Sequence, residues 1–327
     1  MKAYILIILF AGLFGILSEI SFKKGYKKLG IFNLIVSLFS LCFLAGVRDL
    51  TVGTDIYYYF YQIFYDFTHT EIGILAEFAN TGVDIGFILL IYIGKIFNNV
   101  NISMFIVEFA VLAPIYIFAY RNRKKYSITF IILIYCLTMY VRSFNLMRQS
   151  IAISLLILSM DYFKDRNIKK SLICFILAVL MHKTAIIGLI IYVIIYIRNT
   201  KGEIKLKNII MIYIIFILSI LILEPFLVLT GSKYIRYLNS SIENNTFSIL
   251  RLLKKMIWIF IAGISYYISR RQKNEEIKNE LFVAFNIFVI DFLIALIAIK
   301  APGLRKSYIL FYNICIYINM YQFSKAI

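Results

Sequence analysis

Acid is what this chain lacks most. Its 327 residues hold 17 Asp and Glu against 35 Lys and Arg, for a net charge of +18. Cysteine is sparse too: Cys42, Cys136, Cys174 and Cys315 stand far apart, each inside an apolar run. That spacing excludes a disulfide framework and a zinc site, and leaves the thiols as small packing or lipid-facing groups. No phosphate-cradling glycine loop, His-Glu-x-x-His, Cys-x-x-Cys or Asp-x-Asp occurs. Nucleotide hydrolysis and metal-dependent glycosyl transfer through Asp-x-Asp are therefore unsupported, and no metal or other cofactor is expected. Internal repeats and low-complexity tracts are missing as well. The N-terminal apolar run lacks a small-x-small cleavage site and reads as a retained helix. Of the three prolines, Pro114 and Pro225 fall inside or at the end of apolar spans, where a membrane helix tolerates them.

What the chain has is grease. It is 62% hydrophobic with a mean hydropathy of +0.86, against roughly 45–50% apolar for a soluble domain. Apolar runs near the ~20-residue spanning length recur from end to end. The fold class is an all-α polytopic integral membrane protein, residues 1–327 forming a single integral domain. The positive charge sits in short clusters between apolar runs, which excludes a nucleic-acid partner and marks anionic membrane lipid as neighbour.

Five connecting segments are basic: Lys23 to Lys28, Arg121 to Lys125, Lys164 to Lys170, Arg198 to Lys207 and Arg270 to Lys278. The positive-inside rule places all five in the cytoplasm. From Arg48 to Asp84 the bias inverts, six acids facing a single Arg48. Residues 48–100 then form an outer loop, reached by a span from about Leu29 to Val47. The span from about Ile102 to Tyr120 must run inward, so the short apolar piece from Val83 to Phe97 is a re-entrant or interfacial helix. An extra crossing among the tyrosines from Ile56 to Phe67 is the alternative.

Further spans are expected near Ser127 to Val141, Gln149 to Phe163, Lys207 to Val228, Leu252 to Ser269, Leu281 to Ile299 and Ser307 to Phe323. About 11 transmembrane helices result, with 230–255 as a second outer loop. Between Ser171 and Arg198, basic clusters flank a stretch too short for two full crossings. It reads as a hairpin with His182-Lys183-Thr184 at its tip. Each arm of ~14 residues rises ~21 Å.

Outer basic residues gain nothing from the insertion rule. Arg142 and Arg148 flank a polar break between two spans, and Arg305 lies at a third outer junction. A phosphate-bearing ligand explains them, since guanidinium forks match phosphate oxygens; pairing with lipid phosphate is the plainer account. His182 sits at a depth where an ionisable group is costly unless it lines a polar cavity. An imidazole there suits a general base. Asp55 follows a Gly53-Thr54 turn that presents its carboxylate, and Asp84 opens the short helix, where an acid also suits the helix N-terminus. His69 reads as solvated. Glu19, Glu108, Glu224 and Asp291 are intramembrane carboxylates, Asp291 ranking first for its central place in its span.

Several of these residues form a recognisable series. Arg48, with Val52-Gly53-Thr54-Asp55 and Tyr59, resembles the R-x(3,4)-G-T-D-x(3)-Y outer-loop motif of the EpsG-like, Wzy-type polysaccharide polymerases. Asp84-Ile-Gly-Phe87 is similar to that family's E-x-G-[FY], with Asp for Glu. Arg148-Gln149-Ser-Ile151-Ala152 is similar to its R-Q-x-[IL]-A. Met181-His182-Lys-Thr184-Ala185 is similar to its [FMT]-H-x-[ST]-A, and Arg305 with Tyr308 is a loose form of its R-x-x-Y. The motifs run in family order over most of the chain.

The resemblance implies a fold like the GT-C glycosyltransferases, in the bacterial cytoplasmic (inner) membrane with the active site facing outward. It implies polymerisation of undecaprenyl-pyrophosphate-linked oligosaccharide repeat units, with a flippase and a chain-length regulator as partners. In that scheme Arg142 and Arg148 hold pyrophosphate and His182 is the base. Asp55 or Asp84 positions the sugar or replaces His182, and Arg48 and Arg305 complete the anion site or pair with those acids. Tyr57, Tyr58 and Tyr59 offer sugar-stacking faces or an interfacial aromatic belt. A lipid-linked oligosaccharide flippase or exporter, or a glycan ligase of similar chemistry, is the rival expectation; a two-bundle transporter would show the repeat this chain lacks.

Overall fold

The computed structural model describes residues 2–53, 56–70, 72–189 and 192, with isolated positions between 256 and 292. Contacts divide the chain, expected as one domain, into two compact units, Met1–Ile186 and Ile187–Ile327. The helices from residue 2 to residue 181 all lie in the first unit. Apart from those isolated positions, the expected spans from 207 to 323 lie outside the described residues, as do the loop 230–255, Asp55, Arg305, Glu224, Asp291 and the side chain of Tyr58.

Every regular element among the described residues is helical. Among the described residues, three helices are apolar and long enough to cross a membrane: α1 (Lys2–Lys23), α2 (Lys27–Val47) and α6 (Val100–Arg121). At 1.5 Å per residue, each of these 21- or 22-residue helices rises ~32 Å, matching a ~30 Å hydrocarbon core. This is a multi-pass membrane protein.

Between α1 and α2 the chain reverses on Gly25, whose φ of +83° is one that only glycine adopts freely. The Tyr26 N–H donates to Ser21 O (2.9 Å) and the Gly25 N–H to Phe22 O (3.1 Å), a Schellman closure of α1. The two helices then pack closely through small residues. Ser18 donates to Gly30 O (2.8 Å) and Ser37 to Ala11 O (2.8 Å), satisfying hydroxyls that lipid could not. Asn99 starts α6 by accepting from the N–H groups of Asn101 (2.9 Å) and Ile102 (3.3 Å).

Among the described residues between α2 and α6, no element reaches spanning length. A π-helical turn, Ile56–Tyr61, runs into α3 (Gln62–His69), followed by α4 (Ile74–Thr81) and α5 (Ile85–Lys95). The 11 residues of α5 rise only ~16 Å. Its Gly94 lets the backbone lie directly on Ser103 of α6.

After α6, α7 (Ile128–Tyr135) passes through a π-helical segment, Cys136–Tyr140, into the short α8 (Val141–Ser143). A break at Phe144–Leu146 precedes α9 (Met147–Lys164) and α10 (Ile168–Met181). The core lies around α6, which packs on both α2 and α9, with α1 against α2 and α7 and with α5 against α6 and α10. Arg121 ties the ends of α6 and α9 together. Its Nε donates to Asp161 (2.7 Å), Nη2 to Asp165 (2.5 Å), and its guanidinium lies 4.0 Å from the Tyr162 ring centre.

Candidate functional site

Asp84 is the N-cap residue of α5, yet its side chain makes no capping hydrogen bond. The carboxylate turns instead to three groups from distant parts of the chain. Arg148, in the first turn of α9, donates from Nη1 to Oδ2 (3.1 Å). His182, the residue that ends α10, brings Nδ1 to the same oxygen at 3.3 Å. The Lys183 backbone N–H donates to Oδ1 (3.3 Å). Asp84 is buried, and the Arg148 and His182 side chains are only 20% and 12% exposed, so the contacts form largely out of water. Burial alone would raise the Asp84 carboxyl. The hydrogen bond and charge of His182, the charge of Arg148 and the Lys183 amide outweigh that and hold it below the usual carboxylate range.

Local backbone explains the convergence. His182 is extended (φ −156°, ψ 108°) and stops α10 while its N–H still bonds Ala178 O (2.9 Å). A 3₁₀ turn, Lys183–Gly188, follows directly. Gly86 lets α5 lie on that helix end: a Cβ there would sit 2.8 Å from Leu180 O and 3.1 Å from Met181 N. The α10 helix matches the first arm of the expected hairpin, with His182 at its end.

The tyrosines and arginines divide. Tyr59 is half-buried, with the Arg148 guanidinium 5.2 Å from its ring centre, while Tyr57 is exposed. Arg142 is exposed on α8, and its carbonyl accepts the Asn145 and Leu146 N–H groups (3.1 Å each) that shape the break. Arg48 joins neither. It is 6% exposed, its guanidinium lies 3.9 Å from the Phe144 ring centre, and all three of its side-chain nitrogens lack a hydrogen-bond partner. Its opposing charge is Glu108, which accepts from Ser143 Oγ (3.0 and 3.2 Å).

Gly53 approaches the same Phe144 from its backbone side. Its φ is +115°, and a Cβ there would sit only 2.5 Å from Phe144 O. Arg48 and Gly53 thus clamp the loop onto the α8–α9 break from two directions. Asp49 stiffens it by accepting from the Thr51 N–H (2.8 Å) and hydroxyl (2.7 Å).

Sequence reasoning misses two residues. Gly86 lies inside the Asp84-Ile-Gly-Phe87 motif, whose spacing is the available signal. Glu108 ranks only as one intramembrane carboxylate among four, and nothing in the sequence pairs it with Arg48. His69 is exposed and stacks on Tyr65 at 3.9 Å. Among the described residues, no group of three His, Cys, Asp or Glu stands ready for a metal ion.

Comparison with protein-family models matches residues 31–327 to the EpsG family. No curated protein and no solved structure matches the chain.

Proposed function

Because the chain belongs to the EpsG family, which is associated with exopolysaccharide biosynthesis, we propose that it is a polysaccharide polymerase. In this reading it is a metal-independent glycosyltransferase joining undecaprenyl-pyrophosphate-linked oligosaccharide repeat units at the outer face of a bacterial cytoplasmic membrane. The observation that carries the reading is the meeting of His182 and Arg148 on the Asp84 carboxylate, beside the Tyr59 ring.

An acceptor-sugar hydroxyl attacks the anomeric carbon of the donor chain. The new glycosidic C–O bond forms as the C–O bond to pyrophosphate breaks, and the electron pair leaves with the pyrophosphate. The hydroxyl proton goes to His182. With Nδ1–H donating to Asp84, Nε2 is the free base, and the carboxylate then stabilises the imidazolium. Asp84 is a positioning residue in this scheme, not the base.

Arg148 uses one nitrogen on Asp84, and its other N–H groups make no hydrogen bond within the described residues. They are open to the pyrophosphate oxygens, with Arg142 as second cation, and stabilise the leaving charge. Tyr59 offers a ring face to sugar. Arg48 acts through Phe144, by seating the loop that carries Asp55. Asp55 and Arg305 keep the sugar-positioning and anion-binding roles on the motif alone.

The test is incubation of the purified protein with a lipid-linked repeat unit. A ladder of products is expected, lost in His182→Ala and Arg148→Ala. A ladder unchanged in both variants would sink the mechanism. Movement of the unit across vesicles without a ladder would make the protein a transporter.

A further inference from the structure

We propose that the cavity between the α1–α2 turn and the α6–α7 turn binds the phosphate headgroup of an anionic membrane lipid. The proposal is independent of the polymerase reading. The cavity measures about 400 Å³, within the ~300–1,000 Å³ of ordinary ligand sites. It is lined by Lys23, Lys27, Arg123 and Lys124 against a single carboxylate, Glu19.

That carboxylate is already engaged. Glu19 pairs with Lys23 (3.1 Å) and accepts from the hydroxyls of Ser127 (2.7 Å) and Thr129 (3.3 Å). Lys27 and Lys124 make no ion pair among the described residues. Arg123 is held in place without an acid: Nη1 donates to Tyr120 O (2.8 Å), and the guanidinium lies 4.1 Å from the Tyr120 ring centre and 5.3 Å from that of Phe22. Three cations therefore line one concavity with no acid to neutralise them, and the Schellman turn at Gly25 fixes the backbone between Lys23 and Lys27.

The apolar surroundings select lipid over free anion. Phe22, Gly25 and Ile128 complete the lining. The outward face of α1 leaves Leu13, Ile16, Leu17 and Ile20 exposed, leading to the cavity. From Leu13 to Lys23 the helix rises ~15 Å, half of a ~30 Å hydrocarbon core. A lipid whose chains lie along α1 for one leaflet's depth thus delivers its phosphate to the level of Lys23. Basic pockets between helix ends on the cytoplasmic side suit anionic headgroups on general electrostatic grounds, and both turns belong to the basic clusters that the charge rule places there.

The experiment uses the full chain in detergent, with thermal unfolding and native mass spectrometry. Phosphatidylglycerol is expected to stay bound and raise the unfolding temperature; phosphatidylcholine and inorganic phosphate at equal concentration are not. The Lys27→Gln/Arg123→Gln/Lys124→Gln variant should bind phosphatidylglycerol roughly a hundredfold more weakly, from about 1 kcal/mol per lost cation. Lys169→Gln/Lys170→Gln, at the basic α9–α10 turn outside the cavity, should bind as the unaltered chain does. Should Arg123→Gln disturb the turn, Lys27→Gln/Lys124→Gln replaces it, since neither lysine holds another part of the fold. Equal binding in the cavity variant overturns the proposal. So does equal loss in the α9–α10 variant, or a shift that inorganic phosphate alone reproduces, which would make this a free-anion site.

Discussion

A single methyl group at position 86 separates the geometry of the Asp84 contact from its chemistry. In Gly86→Ala the new Cβ would stand 2.8 Å from Leu180 O, 2.9 Å from Leu180 C and 3.1 Å from Met181 N. All three are backbone atoms in the last turn of α10, so no side-chain rotation relieves them. Ordinary contact begins near 3.4 Å, so α5 and α10 must part by roughly 0.6 Å. The His182 Nδ1 to Asp84 Oδ2 distance is already 3.3 Å, and the added gap takes it beyond hydrogen-bonding range. No titrating or substrate-binding group changes. The stability cost is about 1–3 kcal/mol, as for other overpacked interfaces.

Turnover should suffer more, falling on the order of 10- to 100-fold, because a base displaced by about 1 Å loses about two decades of rate. The assay is the rate of ladder formation at varied lipid-linked unit, with kcat falling more than KM rises. Leu89→Ala, on an exposed part of α5, is the control and should polymerise at the unaltered rate. Gly86→Ala that elutes as a folded species and polymerises normally would refute the idea that Asp84 governs His182.

Two further outcomes follow from the loop and its anchor. Gly53→Ala meets both a φ of +115° and the Phe144 carbonyl at 2.5 Å, whereas Gly25→Ala meets a φ of +83° and nothing within 4 Å. Thermal unfolding should show about 1 kcal/mol lost at Gly25 and distinctly more at Gly53, with the ladder impaired only by the latter; the reverse order would contradict the clamp on Phe144. Glu108→Gln should leave Arg48 as an uncompensated buried charge and cost on the order of 3 kcal/mol, and Arg48→Met/Glu108→Gln together should restore most of it. A double-mutant cycle of unfolding midpoints reads this, and a double variant no more stable than Glu108→Gln would show that the two charges are not coupled.

The membrane helices were legible because their ends are marked chemically. The span expected from Leu29 to Val47 is α2 (Lys27–Val47), and that from Ile102 to Tyr120 is α6 (Val100–Arg121). A basic cluster bounds one end of each apolar run, Lys23 to Lys28 for α2 and Arg121 to Lys125 for α6, with Arg48 and the Asn99 cap at the other ends. The failure of Val83–Phe97 to reach spanning length was legible too, since parity and length spoke together. The π-helical segments at Ile56–Tyr61 and Cys136–Tyr140 left no such mark. They are packing solutions, and hydropathy averages over them.

The site was legible only as a set of residue types, and Arg48 shows why. An outer arginine gains nothing from the insertion rule, so the expectation for Arg48 was a place in an anion site or a pairing with Asp55 or Asp84. Burial against Phe144 and the opposing charge of Glu108 supply a different reason, from residues 96 and 60 positions away in the chain that no periodicity encodes. Asp84 runs the other way. Its charge suits the positive start of α5, yet the carboxylate makes no capping hydrogen bond there. The hydrogen bonds that this buried carboxylate does make go to an arginine, a histidine and the Lys183 amide, all from elsewhere in the chain. The case for chemistry at this site therefore rests on Asp84 and on the glycine two residues later that brings it there.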